Sequence, residues 1–513
     1  MSEIFMAFPL FSMICCFVGA VLCSFLNKKA SFIISVTVCV IAVALNACVL
    51  AYVLHTNENI IYTMGHFGPN EDGIRICNEI RVGPVEAFLA LFFASILALV
   101  IVGGKVFQRV DIKESKLNLF YVLMCLILVS NMALIYTNDI FTAFVFIELS
   151  TLASCGCLMV KEKGPTILST VRYMIFNLVG SGLFLIGIVI LFDLTGYLSI
   201  ENIATAIKEI STIEQLRVPM FISFGLIISG LSIKSGLFPF HYWMPDAYGC
   251  ATPTSSSILS GIVTKGYLFL LVKCIFRMFT IEVLTGSGLL EILFIFGVIG
   301  MVVGSINAIH QTSIDRMIAF SSAAQIGYIF MGIGLAGHIG VQAAASVAFL
   351  ALIFHVLTHA VTKPLLFISG RGLISAAKGA KKFRNMRGIG RVDIISAVCF
   401  AIGAFSMIGF PLLAGFISKY LYVSAAIVKS VPIWMQSLAI LALITSTVLN
   451  AIYFIRTCLT IFQPLPAQYN YAKIKYSPSY SFGLFGLVAA NLFLGIGSSI
   501  ILNLLQKGFQ LFS

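Results

Sequence analysis

Residues 219–240 read PMFISFGLIISGLSIKSGLFPF, a long apolar run that contains a single charge, Lys234. A helix needs roughly 20 apolar residues to cross a bilayer, so this stretch is long enough to span one. Similar runs recur from end to end: 59% of the 513 residues are hydrophobic and only 10% are charged. A soluble domain carries about 25% charged residues. We therefore predict an all-α, polytopic membrane bundle with lipid as its main solvent.

The apolar runs predict about fourteen transmembrane segments. They are 4–26, 31–54, 83–104, 117–136, 139–160, 170–192, 219–240, 254–276, 287–309, 315–335, 340–369, 393–428, 433–462 and 479–505. The first segment lacks a basic leader and a cleavage site, so we expect a retained helix. Residues 55–82 carry turn signals from Gly65 to Ile76 and predict a small hairpin. Residues 196–217 predict an amphipathic surface helix.

The net charge of +12 would suggest nucleic acid as a partner for a soluble protein. In a membrane protein it indicates basic loops on the cytoplasmic side, and we expect no nucleic acid. The largest basic cluster is Arg371, Lys378, Lys381, Lys382, Arg384, Arg387 and Arg391. If this cluster lies on the cytoplasmic side of a cell (inner) membrane, an even number of helices places both termini on the outer side. The thirteen cysteines lack framework spacing, which excludes a disulfide scaffold and favours buried free thiols.

Ionisable residues interrupt several of the apolar segments, where each carries a high energetic cost. They are Glu148, Lys234, Lys265 and Lys419 and, four residues apart on one helix, His355, His359 and Lys363. A structural ion pair or a lysine that reaches the interface would explain any one of them. Lysines outnumber carboxylates, however, so pairing cannot neutralise the set. Burial favours a neutral amine and a nearby carboxylate favours its charged form, so the set predicts a proton switch.

Proline and glycine predict breaks in two of the segments that carry a buried lysine. Lys234 is followed by Pro239, and Gly409 and Pro411 precede Lys419. Proline removes a backbone donor and collides with the preceding turn. Broken helices in corresponding positions of two halves mark the ion path of transporters built from inverted repeats. An ordinary proline kink is the alternative at each site.

Metal and cofactor sites find little support in the sequence. His355 and His359 have the spacing of a metal pair but lack the glutamate of His-Glu-x-x-His and a third ligand. Glu86 and Asp246 lie near segment ends, where solvated structural roles are at least as plausible. We expect no metal, no cofactor and no catalytic site within this chain.

Four motifs together resemble the antiporter-like subunits of respiratory complex I, Mrp-type cation/proton antiporters and membrane-bound hydrogenases. They are KSGLFPFHYWMPDAY (234–248) continuing to ATPTSSS (251–257), RMIAFSSAAQIGY (316–328), the stretch 355–367, and SMIGFPLLAGFISK (406–419). The resemblance runs through nearly the whole chain.

The resemblance implies fourteen helices, with helices four to eight and nine to thirteen forming inverted repeats and helices seven and twelve broken. The corresponding parts are 1–116 with helices one to three and an outer hairpin, 117–276 and 287–462 as the two repeats, and 463–513 with helix fourteen. It also implies that Glu148 and Lys234 couple proton movement, that Lys265 and Lys419 continue the path, and that the histidine stripe bridges the two halves.

Two functions remain in competition on the sequence alone. One is a proton-translocating subunit that works with other membrane subunits, driven by a redox partner or coupled to sodium exchange in a neighbouring subunit. The other is a self-contained cation/proton antiporter. Lysines cannot ligate a metal cation, which favours the subunit. An electron-transfer subunit would need cofactor ligands. Within the family, Lys419 and the short C-terminal region favour three types of subunit. They are the D-type component of Mrp Na⁺/H⁺ antiporters, its relative in hydrogenase-linked complexes, and one of the subunits of complex I, the NADH:quinone oxidoreductase.

Overall fold

Apolar stretches fold as helices throughout the computed structural model, which describes residues 2–64, 78–285, 287–337, 342–465 and 477–512. The α-helices are α1 (Ser2–Phe25), α2 (Lys28–Thr56), α3 (Pro84–Asp111), α4 (Leu117–Tyr136), α5 (Ile140–Met159), α6 (Gly164–Thr195), α7 (Ile200–Ile210), α8 (Glu214–Ser235), α9 (Trp243–Cys250), α10 (Pro253–Ile258), α11 (Thr264–Lys273), α12 (Ile281–Leu284), α13 (Leu289–Ile309), α14 (Ile314–Ala336), α15 (Gln342–Ala376), α16 (Ile394–Ile408), α17 (Ala414–Ala426), α18 (Ile433–Phe462), α19 (Pro478–Ile496) and α20 (Ser498–Phe512).

Within the described residues, 13 helices are long and apolar enough to cross a membrane. One of them runs from Pro253 to Met278, because π-helical turns at Leu259–Val263 and Cys274–Met278 continue α10 and α11 without a gap. The predicted segment 393–428 supplies a further span as two shorter helices, α16 and α17. The chain is therefore a multi-pass membrane protein, and the predicted all-α bundle is confirmed.

The predicted hairpin is present as two antiparallel strands, β1 (Ile60–Met64) and β2 (Asn78–Val82). Ile60 pairs with Val82 at one end of this ladder and Met64 with Asn78 at the other. The turn signals from Gly65 to Ile76 lie outside the described residues. Ile80 of β2 also bridges to Thr137, so the hairpin lies across the end of α4.

Two predicted segments differ from the structure. The surface helix expected at 196–217 is limited to α7, whose buried face carries an isoleucine every three or four residues, and α8 already begins at Glu214. The single helix expected at 479–505 is divided at Gly497 into α19 and α20. Periodicity alone did not reveal these ends, because an apolar period indicates that a helix is present but locates its ends only to within a few residues.

The bundle has two chemically different ends. The hairpin end carries β1 and β2, and the carbonyl of Leu511 in α20 accepts hydrogen bonds there from Asn59 and Arg81. The opposite end, here the basic end, contains the connections 26–27, 112–116, 160–163 and 377–393. Ion pairs link separate helices at the basic end, including Arg371 with Asp111 at 2.7 Å. Lysine and arginine thus gather at one end, as the sequence predicts.

Three spans form the centre of the bundle. Pro253–Met278, Ile314–Ala336 and Val347–Ala376 are each buried along their most apolar stretch. The other spans keep a lipid-facing side of exposed Leu, Ile, Val and Phe residues. Polar groups on the three central spans are shielded from lipid by protein on every side, which is the setting in which membrane proteins tolerate buried charge.

Candidate functional site

The predicted pair of Glu148 and Lys234 is in contact. Lys234 Nζ lies 3.5 Å from Glu148 Oε1 and donates a hydrogen bond of 2.9 Å to Thr151 Oγ1, one turn further along α5. The hydroxyl of Ser181 on α6 also donates to the Glu148 carboxylate. The Lys234 side chain is fully buried, whereas 27% of the Glu148 side chain is exposed. The amine of the pair is therefore enclosed by protein, whereas the carboxylate is partly exposed.

Lys234 is placed by the end of its helix. α8 stops at Ser235, and Gly236 adopts a left-handed conformation with φ of +78°. A Cβ at Gly236 would collide with the side chain of Met244 in α9, so glycine suits both the backbone and the packing. The break is confirmed, but it lies about a turn before Pro239, which follows in the connection to α9. Lys234 thus lies in the last turn, where backbone carbonyls favour a cation.

Lys265 occupies a distorted part of the central span Pro253–Met278. Its Nζ donates to the carbonyl of Ser260 at 2.7 Å and to Thr264 Oγ1 at 3.1 Å. The π-helical turn Leu259–Val263 shifts the backbone hydrogen bonds here, so a carbonyl is free to accept from a side chain. Ser260 Oγ is also 3.0 Å from Ser322 Oγ on α14. The hydroxyl of Ser260, next to Lys265, therefore connects the first predicted repeat to a helix of the second.

An aromatic residue that the sequence pattern does not single out lies close to Lys234. The hydroxyl of Tyr267 is 3.4 Å from Thr151 Oγ1, and Lys234 Nζ lies 5.6 Å from the centre of the Tyr267 ring. Tyr267 is one of the largest fully buried side chains. Its hydroxyl supplies a group that can both accept and donate a proton close to the Lys234 amine.

The stripe of His355, His359 and Lys363 lies on α15, fully or almost fully buried. His355 Nδ1 is 2.6 Å from Ser418 Oγ on α17, and the His355 and His359 rings are 6.5 Å apart. No protein group among the described residues hydrogen-bonds to either ring nitrogen of His359. The span that carries Lys265 packs closely on α15, since a Cβ at Gly261 would meet Pro364 and Ala360 of that helix. The stripe therefore links Lys265 to the second predicted repeat.

Lys363 continues into a chain of hydroxyl and amide groups. Its Nζ donates to Ser321 Oγ at 2.8 Å, which is 2.9 Å from the hydroxyl of Tyr453. Tyr453 donates to Asn450 Oδ1 at 2.6 Å, and Ser305 Oγ lies 3.4 Å from the same oxygen. These polar groups on α13, α14 and α18 were not identified from the sequence. Polar residues three or four apart along the apolar segment 433–462 are the signal that marks them.

Lys419 lies on α17, beyond the second break. Its Nζ donates to the carbonyl of Ile408 at 2.7 Å and to Thr447 Oγ1 at 2.8 Å. Ile408 is the last residue of α16, and Gly409 follows it with φ of +97°. The free backbone carbonyls at the end of α16 thus carry a partial negative charge that stabilises the Lys419 ammonium. This break is also set by glycine, two residues before Pro411.

A second group of buried charges, outside the predicted set, lies near the hairpin end. Lys273 Nζ donates to the carbonyls of Ile135 and Thr137, at 2.7 and 2.6 Å. Arg277 Nη1 is 3.5 Å from Glu86 Oε1, and both side chains are almost fully buried. The expectation of a solvated role for Glu86 was wrong, because the start of α3 is covered by Arg277. Asp246, at the basic end, forms ion pairs with two arginines.

The seven predicted residues are here called the polar line: Glu148, Lys234, Lys265, His355, His359, Lys363 and Lys419. Of these, Glu148 and Lys234 are in direct contact, and His355 and His359 are neighbours on α15. In the described ranges, no three His, Cys, Asp or Glu side chains gather in a way that could hold a metal ion. The groups along the polar line and its hydroxyl neighbours are instead proton donors and acceptors. Side chains of these kinds can exchange protons with one another.

Residues 137–448 match the family described as NADH:quinone oxidoreductase/Mrp antiporter, TM, and this region contains the whole polar line. A relative named NADH-quinone oxidoreductase subunit N, from Desulforudis audaxviator, is 28% identical over 386 residues, which cover 75% of this chain and 72% of the relative. A putative antiporter subunit mnhA2 from Staphylococcus saprophyticus is 28% identical over 343 residues, which cover 65% of this chain and only 42% of the relative.

Two solved structures share the fold over nearly the full length. A chain of the membrane-bound sulfane sulfur reductase, an archaeal respiratory membrane complex, has a TM-score of 0.81 at 22% identity, covering 99% of this chain and 96% of that one. A chain of the Mrp complex from a Dietzia species has a TM-score of 0.83 at 18% identity, covering 99% and 97%. The chain belongs to the NADH:quinone oxidoreductase/Mrp antiporter transmembrane family.

Proposed function

We propose that this chain is a proton-conducting, antiporter-like subunit of a multi-subunit membrane complex, and that protons move along the polar line. The relatives named subunit N and antiporter subunit mnhA2 are both, by name, subunits of larger assemblies. The redox partner or cation exchange that drives the movement belongs to other subunits. Sodium, where the complex exchanges it, moves through a neighbouring subunit, because lysine amines cannot ligate a metal cation.

The observation that carries the proposal is the position of Glu148 on an exposed apolar face. Phe141, Val145 and Leu152 of α5 are 46%, 50% and 64% exposed, and Glu148 falls on the same side at helical spacing. In an isolated chain this face would contact lipid at the middle of the membrane. A carboxylate at that depth is costly unless protein or water covers it. A neighbouring subunit on this face removes the cost and brings a second charge within reach of Glu148.

Proton transfer follows from the geometry of the Glu148 and Lys234 pair. A carboxylate beside a buried amine favours the charged ammonium, and burial favours the neutral amine. A change in the distance between the two groups therefore moves a proton onto or off the amine. Thr151 and Tyr267 are the nearest protein groups on the inner side of the pair. A charge on the neighbouring subunit that attracts Glu148 would cause this change.

Photocrosslinking in the assembled complex is a direct test for the neighbouring subunit. With the photoreactive amino acid benzoylphenylalanine in place of Val145, illumination of native membranes should join this chain to another membrane subunit. The matched control is the same substitution at Ile147, which is on the same helix but fully buried. It should give no adduct with another chain. If position 145 reacted only with lipid, the proposed interface would be wrong.

The self-contained antiporter remains the competing function, and reconstitution separates the two. We expect the purified chain alone, in proteoliposomes with a pH-sensitive dye, to show no cation/proton exchange, whereas the intact complex does. Exchange by the single chain at the rate of the complex would contradict the subunit proposal.

We further propose that 117–276 and 287–462 are inverted repeats, with 1–116 and 463–513 flanking them. In each repeat a glycine-terminated helix presents a lysine near the carbonyl end of a broken helix, α8 for Lys234 and α16 for Lys419. We place the chain in the cell (inner) membrane, with the basic end inside and both termini outside, because lysine and arginine accumulate in cytoplasmic loops. The Mrp, hydrogenase-linked and complex I types of assembly all suit this arrangement.

A further inference from the structure

A cavity of about 500 Å³ opens at the basic end, away from the polar line. The first turn of α2, the last turns of α3 and the start of α4 form its walls. Four cationic side chains line it, Lys28, Lys29, Lys105 and Arg109, together with one carboxylate, Glu114. The cavity is therefore concave and strongly positive, and it lies where the spans leave the membrane.

The positive charge of this cavity is mostly uncompensated. Lys28 forms an ion pair with Glu114. Within the part of the chain that the structure describes, Lys29, Lys105 and Arg109 form no ion pair with a carboxylate. Lys105 Nζ lies 3.8 Å from the centre of the Phe32 ring, which positions the amine over the cavity wall by a cation–π contact. Like charges held together in this way favour an anionic occupant.

The wall below the cations is apolar and continues onto the lipid-facing surface. Phe32 and Ile33 of α2 line the cavity, and Ile33 is 61% exposed. Val106 and Val110, on α3, are exposed beside Lys105 and Arg109. An occupant that uses the whole surface needs an anionic head at the membrane boundary and an apolar part directed into the bilayer. A phospholipid has this arrangement, whereas a soluble phosphate would use only the cationic half.

We propose that this cavity binds one anionic phospholipid, with its phosphate among Lys29, Lys105 and Arg109 and its acyl chains along Ile33 and Val106. Basic pockets between transmembrane helices on the cytoplasmic side are suited to such headgroups. The bound lipid bridges α2 and α3. The proposal is independent of proton transfer, since no residue of the cavity belongs to the polar line.

Native mass spectrometry of the purified full chain in detergent tests the site. Cardiolipin, phosphatidylglycerol and phosphatidylcholine are added in turn, and the fraction of chain that retains one lipid is measured. We expect the anionic lipids to bind about tenfold or more tightly than phosphatidylcholine, because each nearby Lys or Arg contributes to the attraction. The triple variant Lys29→Gln, Lys105→Gln, Arg109→Gln should lose this preference.

The matched control removes the same charge from the same end of the molecule. Lys163, Lys382 and Arg384 are exposed, lie outside the cavity, and form no ion pair within the described residues. The triple variant Lys163→Gln, Lys382→Gln, Arg384→Gln should bind anionic lipid as the unchanged chain does. Gel filtration verifies that each variant is folded. The single variant Arg109→Gln alters an exposed side chain and should show an intermediate loss, which supports the site without relying on the triple variant.

Three outcomes would overturn the proposal. Equal binding of phosphatidylcholine would indicate an apolar groove without headgroup recognition. Equal loss in the control variant would indicate general charge attraction. Displacement of bound lipid by millimolar inorganic phosphate, with phosphate retained in its place, would indicate a soluble anion site.

Discussion

At the scale of single residues, buried hydroxyl and amide groups adjoin the charges of the polar line: Tyr267 lies close to Lys234, and Asn450 belongs to the hydrogen-bonded chain that begins at Lys363. Glu148, Lys234 and Lys265 stand out because each interrupts an apolar run. Tyr267 and Asn450 give no such contrast, since tyrosine and asparagine are compatible with a membrane helix whether or not they adjoin a charge. Their place became visible only when helices distant in sequence were packed together. Whether the seven residues of the polar line carry protons stays a prediction.

Buried charges near segment ends were also misread at this scale. Glu86 was expected to be solvated because it lies close to the predicted start of its helix, and Arg277 directly follows the predicted segment 254–276. The structure buries them against each other. Distance along the sequence from a helix end does not show whether the hairpin and neighbouring helices cover that end, so this group could not be predicted from periodicity.

The variant Tyr267→Phe tests the hydroxyl close to Lys234 and Thr151. It removes one oxygen and keeps the buried ring, so assembly should be unchanged while proton transport by the intact complex falls severalfold. The measurement is the rate of proton uptake into proteoliposomes. Tyr197→Phe, at an exposed tyrosine, serves as the control and should transport normally. An unchanged rate in Tyr267→Phe would remove this residue from the path.

At the scale of helices, the prolines predicted the two breaks and the glycines set their positions. A proline weakens the helix before it because it lacks a donor and clashes with the previous turn. In α8 and α16 the chain leaves the helix earlier, at Gly236 and Gly409, by adopting positive φ. The sequence shows both residue types together, but which of them ends the helix depends on packing, here against Met244 and Lys419.

The variant Gly236→Ala should destabilise the protein. Alanine in the left-handed region costs about 1–2 kcal/mol, and its Cβ would collide with Met244. Gly225→Ala is the control on the same helix, where an added Cβ meets no atom within 4 Å. The control should be neutral or slightly stabilising, because helix-interior glycine is unfavourable. Thermal unfolding in detergent measures both. Equal midpoints for the two variants would show that the αL break contributes nothing to stability.

At the scale of the whole molecule, composition predicted a membrane bundle and the charge distribution predicted its two ends. The structure confirms the bundle and the basic end. It also reveals what composition could not show, that three spans lie at the centre and that two of them carry four of the seven residues of the polar line. All the spans are similarly apolar in sequence, so burial within protein and burial in lipid cannot be distinguished from hydropathy.

Cysteine labelling tests the proposed orientation. Lys382→Cys at the basic end and Glu58→Cys at the hairpin end are treated in intact cells with a membrane-impermeant maleimide, with the unchanged chain as the background for native cysteines. We expect Glu58→Cys to be labelled and Lys382→Cys to react only after the cells are opened. The opposite pattern would place the basic end outside the cell and both termini inside.

The central claim is that protons move through the polar line, and transport by the intact complex with one lysine removed tests it most directly. The variants Lys234→Ala and Lys419→Ala are each compared with Lys429→Ala, an exposed lysine outside the line, after assembly is verified. Proton movement should fall about 100-fold or more in the first two, as expected when a positioned proton-transfer group is lost, and remain normal in the third. Transport that survives in both Lys234→Ala and Lys419→Ala would contradict the claim.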